Sequence, residues 1–515
     1  MDRESVDLRA AVGTPVDCIV TLDAGTGSGR CMAIDAAGRV LASAQEAFVY
    51  RLFEHPTLPM VRGCDLDADA FWAALARCTR RVLGALPGAA RVRGVIATSQ
   101  REACVFLDRE GRVLYAGPNL DGRAVLEGLE LEGRMGAERL HAITGHAPPY
   151  IFAAARYLWF RQQPEAGRLA TILMLNDWMT YRLSGERTAE HSSASESFLY
   201  DVTTRAWSHE ILGEIGLAAA TLPTLHAAGA PAGRVTAEAA ASTGLPAGTP
   251  VFVGGADTEM ALLGSGVIAP GALGVIMGTT MPLQMVTERP ILDPDGSLWT
   301  SPFVVPDRWV LESNAGDTGG AYRWLLELLF GATDAHAEAE RFVEDVAMEP
   351  QRIICHLGPV VFGLKHMNPF HPAGVLFRFP LLDLDRPRRG PLLRAFLDSV
   401  AYAIRGNLEQ IVSVAGYAPT SLRLSGGMTR VAILPRLVAT VLGRPIEVAS
   451  VPESASLGCA IVAAVAAGLH PTIDDAVGAM TSARALDPDP APYAAFSEAY
   501  AQWRTAQRTL HAWTL

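Results

Sequence analysis

The chain has 515 residues, half of them hydrophobic and 19 % charged, with a net charge of −11 and a pI near 5.6. That length exceeds what one hydrophobic core serves, so at least two domains are expected. The acidic balance excludes a nucleic-acid partner held on a broad basic surface and favours small neutral or phosphorylated ligands. Seven scattered cysteines without a C-x-x-C pair argue against a zinc site or a disulfide framework and for reduced thiols. The opening MDRESVDLRAAVG lacks the apolar stretch of a signal peptide. The longest apolar run, Leu457–Leu469, has 13 residues, too few to span a bilayer. The expectation is a soluble, cytoplasmic protein. Lys365 is the only lysine; Leu364 precedes it and His366 follows, so neither a P-loop nor the strand lysine of a protein kinase can be assembled.

In chain order, VTLDAGTGSGRCMAID (Val20–Asp35) comes first: a buried strand ends on Asp23, and a turn with Gly25, Gly27 and Gly29 leads into a second strand. Positive φ at these glycines is expected to make the turn tight, with backbone N–H groups offered to a phosphate; a plain hairpin has the same pattern. Val251–Val253 reads as a strand running into Gly254-Gly255 with Asp257 just beyond. Asp257 is either an acid presented at a strand end or the cap of a helix beginning near Thr258. The glycine- and alanine-rich residues up to Gly274 look like an interdomain linker or hinge. Gly274–Val286 repeats the first pattern around Gly278-Thr279-Thr280, 253 residues after Gly25, which suggests two similar domains facing one ligand. Leu422–Leu424, Gly426-Gly427 and Val431–Leu442 read as strand, turn and helix, a junction that admits a ring or a phosphate or simply packs tightly. Glu453 stands near the start of an alanine-rich helix.

The order and spacing of these motifs resemble the FGGY carbohydrate kinase family from about Ile19 to Leu469, nearly nine-tenths of the chain. LDAGTGSGR resembles its first phosphate loop, TSQRE (98–102) its sugar-binding segment, FAAARYLWFRQ (152–162) its helix signature, and NDWMTYRLSGE and SSASESFLYDVTTRAW its next landmarks. VGGADTEMALLGSG, MGTT and LSGGMTR are similar to its catalytic-acid segment, second phosphate loop and adenosine turn. Departures are Arg156 for a usual lysine, Thr258 for a common Asn or Gln, and Thr440 for a common Asp.

The resemblance implies an α/β fold of two ribonuclease-H-like domains of the actin and hexokinase type with a cleft between them, here 16–262 and 263–515. It implies ATP-dependent phosphorylation of a hydroxyl on a sugar or polyol, with Asp257 as base and as substrate contact, and Asp23 orienting Mg²⁺. Thr26, Gly27, Ser28 and Arg30 would hold phosphates from one side and Gly278 and Thr279 from the other, with Gly319, Gly426 and Gly427 about the nucleotide. Gln100, Arg101, Glu102 and Tyr150 would bind substrate; outside the family context, Arg101 and Glu102 read as an exposed ion pair. Arg-Glu here, with Asn119, Asp121 and Arg123, resembles the autoinducer-2 kinase branch, with xylulo-, ribulo- and glycerol kinases as alternatives. A non-catalytic actin-like ATPase or sugar sensor is the competing class, and it has no use for a base at Asp257. The expected partners are ATP and a small sugar or polyol, without nucleic acid or membrane; a homodimer is left open.

Overall fold

The computed structural model describes residues 16–331, 335–344, 347–361, 363, 376–378, 389–451 and 453–513; Lys365 lies outside them. A first sheet uses Val16–Ala24 (β1), Ser28–Asp35 (β2), Val40–Ala47 (β3), Ala90–Ser99 (β4), Pro231–Arg234 (β5) and Pro250–Phe252 (β6), in the order β5-β6-β4-β1-β2-β3. A second uses Ala272–Ile276 (β7), Thr280–Thr287 (β8), Trp299–Pro302 (β9), Trp309–Asp317 (β10), Ser421–Ser425 (β11), Ile446–Ala449 (β12) and Ala483–Leu486 (β13), in the order β9-β10-β8-β7-β11-β12-β13.

The two sheets share one topology. β1 pairs antiparallel with β2 and parallel with β4, as β7 does with β8 and β11. The parallel neighbours β6 and β12 follow, each edged by an antiparallel strand, β5 or β13. Strand β9 is an addition to the second sheet. The repeat of strand–turn–strand units is therefore a repeat of whole domains. In β1, Cys18, Ile19, Val20 and Leu22 are all buried, the near-continuous apolar run of a parallel strand covered on both faces.

Two helices join the halves, Asp257–Gly264 (α1) and Ser454–Ala466 (α2). Both are buried almost all round, and an apolar cluster of residues from both sheets closes over α2. Their backbones touch: a Cβ on Gly264 would fall 1.9 Å from the Ser454 carbonyl oxygen, and one on Gly458 1.9 Å from that of Met260. The glycine- and alanine-rich stretch after Asp257 is thus not a free linker. Its first half is α1, and its small residues allow a close helix crossing. α1 runs on to Gly264, past the expected division at 262/263. In LSGGMTR and after it, Gly427–Arg430 forms a 3₁₀ turn and the helix begins at Leu434, not Val431, with Pro435 in its first turn. Among the described residues, no helix is long and apolar enough to cross a membrane.

Candidate active site

Parallel strands aim their carboxyl ends the same way, and in open α/β sheets ligands bind there. In the first sheet β1 ends at Asp23-Ala24, β4 leads into Gln100-Arg101-Glu102, and β6 leads through Gly254-Gly255 to Asp257. One edge therefore collects Asp23, Arg101, Glu102 and Asp257 from segments far apart in sequence. The turn carrying Asp257 is fastened at three points. Asn176 Nδ2 donates to the Gly254 carbonyl at 2.9 Å, Thr98 Oγ1 to that of Gly255 at 2.8 Å, and the Ala256 N–H to Ser192 Oγ at 3.0 Å. Both glycines are obligatory: a Cβ on Gly254 would lie 1.9 Å from the Ala97 carbonyl oxygen, and one on Gly255 2.6 Å from Val304 Cγ1.

Asp257 is the first residue of α1 but not its cap. Ala256 holds the cap position, and no side chain caps the helix. The Asp257 carboxylate accepts from Thr258 Oγ1 at 3.2 Å. Burial pushes its pKa up to about 7, with Arg101 acting downward and Asp23 upward. Asp23 is raised by burial as well, against Arg30, which approaches to 3.7 Å, and Ser456, whose hydroxyl donates across the domain junction at 3.5 Å. Asp23 and Asp257 are thus two acids close enough to repel each other. Among the described residues no three-ligand metal cage exists. One or two carboxylates with water and phosphate oxygens is the donor set that suits Mg²⁺, so this pair fits that ion.

Arg101 and Glu102 are not an exposed ion pair; both are buried. Arg101 reaches across the junction to Glu312 on β10, Nη1 to Oε2 at 2.7 Å and Nη2 to Oε1 at 2.9 Å, with Glu196 3.6 Å from Nη1. Its guanidinium also lies 5.5 Å from the centre of the Trp299 ring. Glu102 has φ +59°, a left-handed conformation that costs a non-glycine residue ~1–3 kcal/mol. Its carbonyl oxygen accepts from Arg156 Nη1 at 2.6 Å, and Arg156 also holds the Gly117, Pro118 and Asp121 carbonyls at 3.3, 2.7 and 3.4 Å. Arg156 therefore fixes the backbone at Glu102. The Glu102 carboxylate takes no hydrogen bond among the described residues, and burial raises its pKa. Gln100 turns to the first loop instead: Nε2 donates to Tyr50 at 3.2 Å and Oε1 accepts the Asn119 N–H at 3.2 Å.

Tyr150 is placed by its ring. Its buried ring packs with Val61 and Val125 in a small apolar cluster of its own. Four residues earlier, His146 Nε2 lies 3.4 Å from Glu196 and 3.2 Å from Ser301 Oγ. Asp121 and Arg123 bind each other, and Arg123 is flanked by Phe53, Tyr115 and Trp159, each ring centre 4.9 Å away, so this pair is scaffold. Asn119 alone of that trio reaches the first loop, donating to Thr26 Oγ1 at 2.9 Å.

None of Gly25, Gly27 and Gly29 has positive φ. Gly29 is required by packing, since a Cβ there would lie 2.6 Å from Phe48 Cζ, while Gly27 faces open space at the exposed tip. Ser28 and Arg30 share Gln45, whose Nε2 donates to Ser28 Oγ at 2.7 Å and whose Oε1 accepts from Arg30 at 3.3 Å. The second loop is assembled from three segments. The Thr318 and Gly319 N–H groups donate to the Thr279 carbonyl at 2.8 and 2.9 Å, and Met277 N–H donates to that of Ser425 at 2.8 Å. Gly278 has ordinary φ, with only the Thr280 carbonyl oxygen near a Cβ, at 3.6 Å. The constrained glycines are its neighbours: Gly426 has φ +96° and Gly319 abuts the Gly278 carbonyl, 2.4 Å from a Cβ. Thr279 and Gly427 are exposed beside them.

Sequence reading missed Glu312, Gln284, Glu196 and His146. A signal for the first two was present: Gln284 is a lone polar residue in the apolar PLQMV, and Glu312 is a charged residue directly after the apolar Val310-Leu311 of its strand; both are buried.

A duplicated α/β domain, with acids on one sheet edge and glycine-rich loops on both, defines a phosphotransferase of the sugar-kinase type. The chain belongs to the FGGY family of carbohydrate kinases: residues 18–264 match its N-terminal domain and residues 273–467 its C-terminal domain. It is an ATP-dependent carbohydrate kinase with an alcohol as acceptor. It is 32 % identical over 474 residues to an autoinducer-2 kinase of Yersinia enterocolitica, covering 90 % of this chain and 88 % of that one. With an autoinducer-2 kinase of Salmonella choleraesuis it shares 29 % over 508 residues, 96 % and 94 % of the two chains. Among solved structures, xylulose kinase from Rhodospirillum rubrum superposes with a TM-score of 0.82 at 26 % identity, over 96 % of this chain and 99 % of that one. Plasmodium falciparum glycerol kinase with ADP shares the fold, with a TM-score of 0.81 at 19 % identity over 97 % and 99 %.

Proposed function

We propose that the chain transfers the γ-phosphoryl group of ATP to a hydroxyl of a short polyhydroxylated carbon chain, and that this substrate is the linear dihydroxypentanedione form of autoinducer-2. The observation that carries the transfer is Asp257: a carboxylate fastened through its backbone at a strand end, accepting among the described side chains from Thr258 alone, with a pKa near the operating pH. It takes the proton of the attacking hydroxyl. Glu102 and the remaining N–H groups of Arg101 orient the neighbouring hydroxyls, with Gln100 behind them. Thr26, Gly27, Ser28 and Arg30 face the phosphates from the first domain, Gly278 and Thr279 from the second, and Gly319, Gly426 and Gly427 border the adenosine. Mg²⁺, when bound, neutralises charge on the β- and γ-phosphates; Asp23 would hold it, with Asp257 near.

The substrate assignment is supported by the two autoinducer-2 kinases above, which match nearly the whole chain. Xylulose is the second reading, favoured by the superposition on the Rhodospirillum enzyme. ADP release with dihydroxypentanedione, xylulose, ribulose, glycerol and tetritols separates them. The assignment stands if kcat/KM is highest for dihydroxypentanedione and falls if xylulose exceeds it.

A further inference from the structure

We infer that Glu312 makes this kinase selective for uncharged substrates by occupying the fork of Arg101, so that sugar acids are refused where sugars and alditols are accepted. The inference rests on the reading of this site as the acceptor site. An arginine beside a catalytic acid would ordinarily be a receptor for a carboxylate, because its paired N–H groups match two oxygens at once. Here that geometry is already filled from the second domain, at 2.7 and 2.9 Å, by a glutamate with 1 % of its side chain exposed.

Glu312 is held firmly in place. Besides both Arg101 bonds, its Oε2 accepts from Gln284 Nε2 at 2.9 Å and its Oε1 from Asn314 Nδ2 at 3.3 Å. Four donors thus meet on one carboxylate. Gln284 also donates to Glu259 Oε1 at 2.9 Å, leaving Glu259 Oε2 buried without a hydrogen bond among the described residues, and the buried Glu196 lies 3.6 Å from Arg101 Nη1 and 3.4 Å from His146 Nε2. Around one guanidinium there are Glu312, Glu196, Glu259 and Glu102, with Asp257 and Asp23 beyond. A further carboxylate brought by a substrate would enter a region already rich in acids and find no unclaimed fork. A group whose matching donors are already claimed is left unpaired on burial, and this is how sites reject a wrong ligand. A hydroxyl loses nothing there: it donates to Glu102 or Asp257 and accepts an N–H that Glu312 leaves free.

The test compares matched sets of three to six carbons, each an aldose or ketose, its alditol and its aldonate, by ADP release and by competition against the best neutral substrate. The wild type is expected to prefer the neutral member of the productive set by at least a hundredfold in kcat/KM. In Glu312→Gln, the preference is expected to narrow by tenfold or more, chiefly through a lower KM or Ki for the aldonate, while Glu312→Asp, which keeps the charge, retains it. Equal use of aldonate and alditol by the wild type overturns the inference. So does a Glu312→Gln variant that loses both substrates in proportion, the result of a purely structural role. Should that variant not fold, wild-type discrimination together with that of Glu312→Asp decides. Failure of the kinase reading itself looks different: no sugar or polyol stimulates ATP turnover at all.

Discussion

Replacing Asp257 by Asn separates a base from a helix-terminal scaffold residue. The amide keeps the shape, the bond from Thr258 and the backbone anchors through Gly254, Gly255 and Ala256, so the fold and the substrate contact survive. What is lost is the group that accepts a proton. General-base catalysis is worth ~10²–10⁴ in rate, about 3–5 kcal/mol of barrier, so kcat should fall by that factor with KM little changed. The stability effect has a definite sign. A carboxyl held at about 7 when folded, against an ordinary value of 3.8, binds its proton more tightly in the native state. Its contribution is therefore fully present below pH 4 and is lost as pH rises to about 7, leaving a destabilising charge above that. Asn carries no such charge, so Tm at pH 8 should rise relative to the wild type, by less at pH 5, the two converging only below pH 4. Steady-state kinetics and calorimetry at both pH values read the outcome. A variant with near wild-type kcat, or one that is destabilised at pH 8, refutes the reasoning.

The same ionisation predicts that wild-type kcat/KM for the sugar falls below pH about 7, because the base must be deprotonated, and that residual Asp257→Asn activity lacks this limb. A pH–rate profile checks both statements. Gly426→Ala should raise KM for ATP tenfold or more with sugar binding intact, since φ is +96° and the new Cβ meets the Met277 carbonyl oxygen at 2.7 Å. Gly278→Val, which has room, should keep Tm and act only on ATP affinity; nucleotide titration and melting curves separate the two. Arg156→Lys should lose ~1–3 kcal/mol of stability and raise the sugar KM without changing that for ATP, because an ammonium cannot span the four carbonyls that Arg156 holds.

How much of this was legible follows from the range of each interaction. The strands, the duplicated unit and Asp257 are encoded locally, in apolar runs ending on glycines and an acid, and the structure has them where the pattern put them. The glycines were found but their reasons were not. Gly29, Gly254 and Gly255 are small because a neighbour distant in sequence leaves no room for a Cβ; none of Gly25, Gly27 and Gly29 carries the expected left-handed backbone, whereas Gly426, for which none was expected, does. The partner of Arg101 was illegible for the same reason. Glu312 is 211 residues away, and nothing near Arg101 announces it except the oddity of a charged residue in a buried strand. Tyr150 was expected at the substrate from the family resemblance alone, and the long-range packing that sets its ring beside Val61 and turns His146 of the same segment toward Glu196 leaves no local trace.

Direct observation of the transferred phosphate tests the central claim most sharply. The protein is incubated with ATP, Mg²⁺ and each acceptor in turn, and the products are followed by phosphorus NMR and mass spectrometry. The account predicts one phosphate monoester per ADP formed, most rapidly on dihydroxypentanedione, and none of it when Mg²⁺ is chelated. ADP accumulating together with free phosphate, with no phosphorylated acceptor from any sugar or polyol, would contradict it.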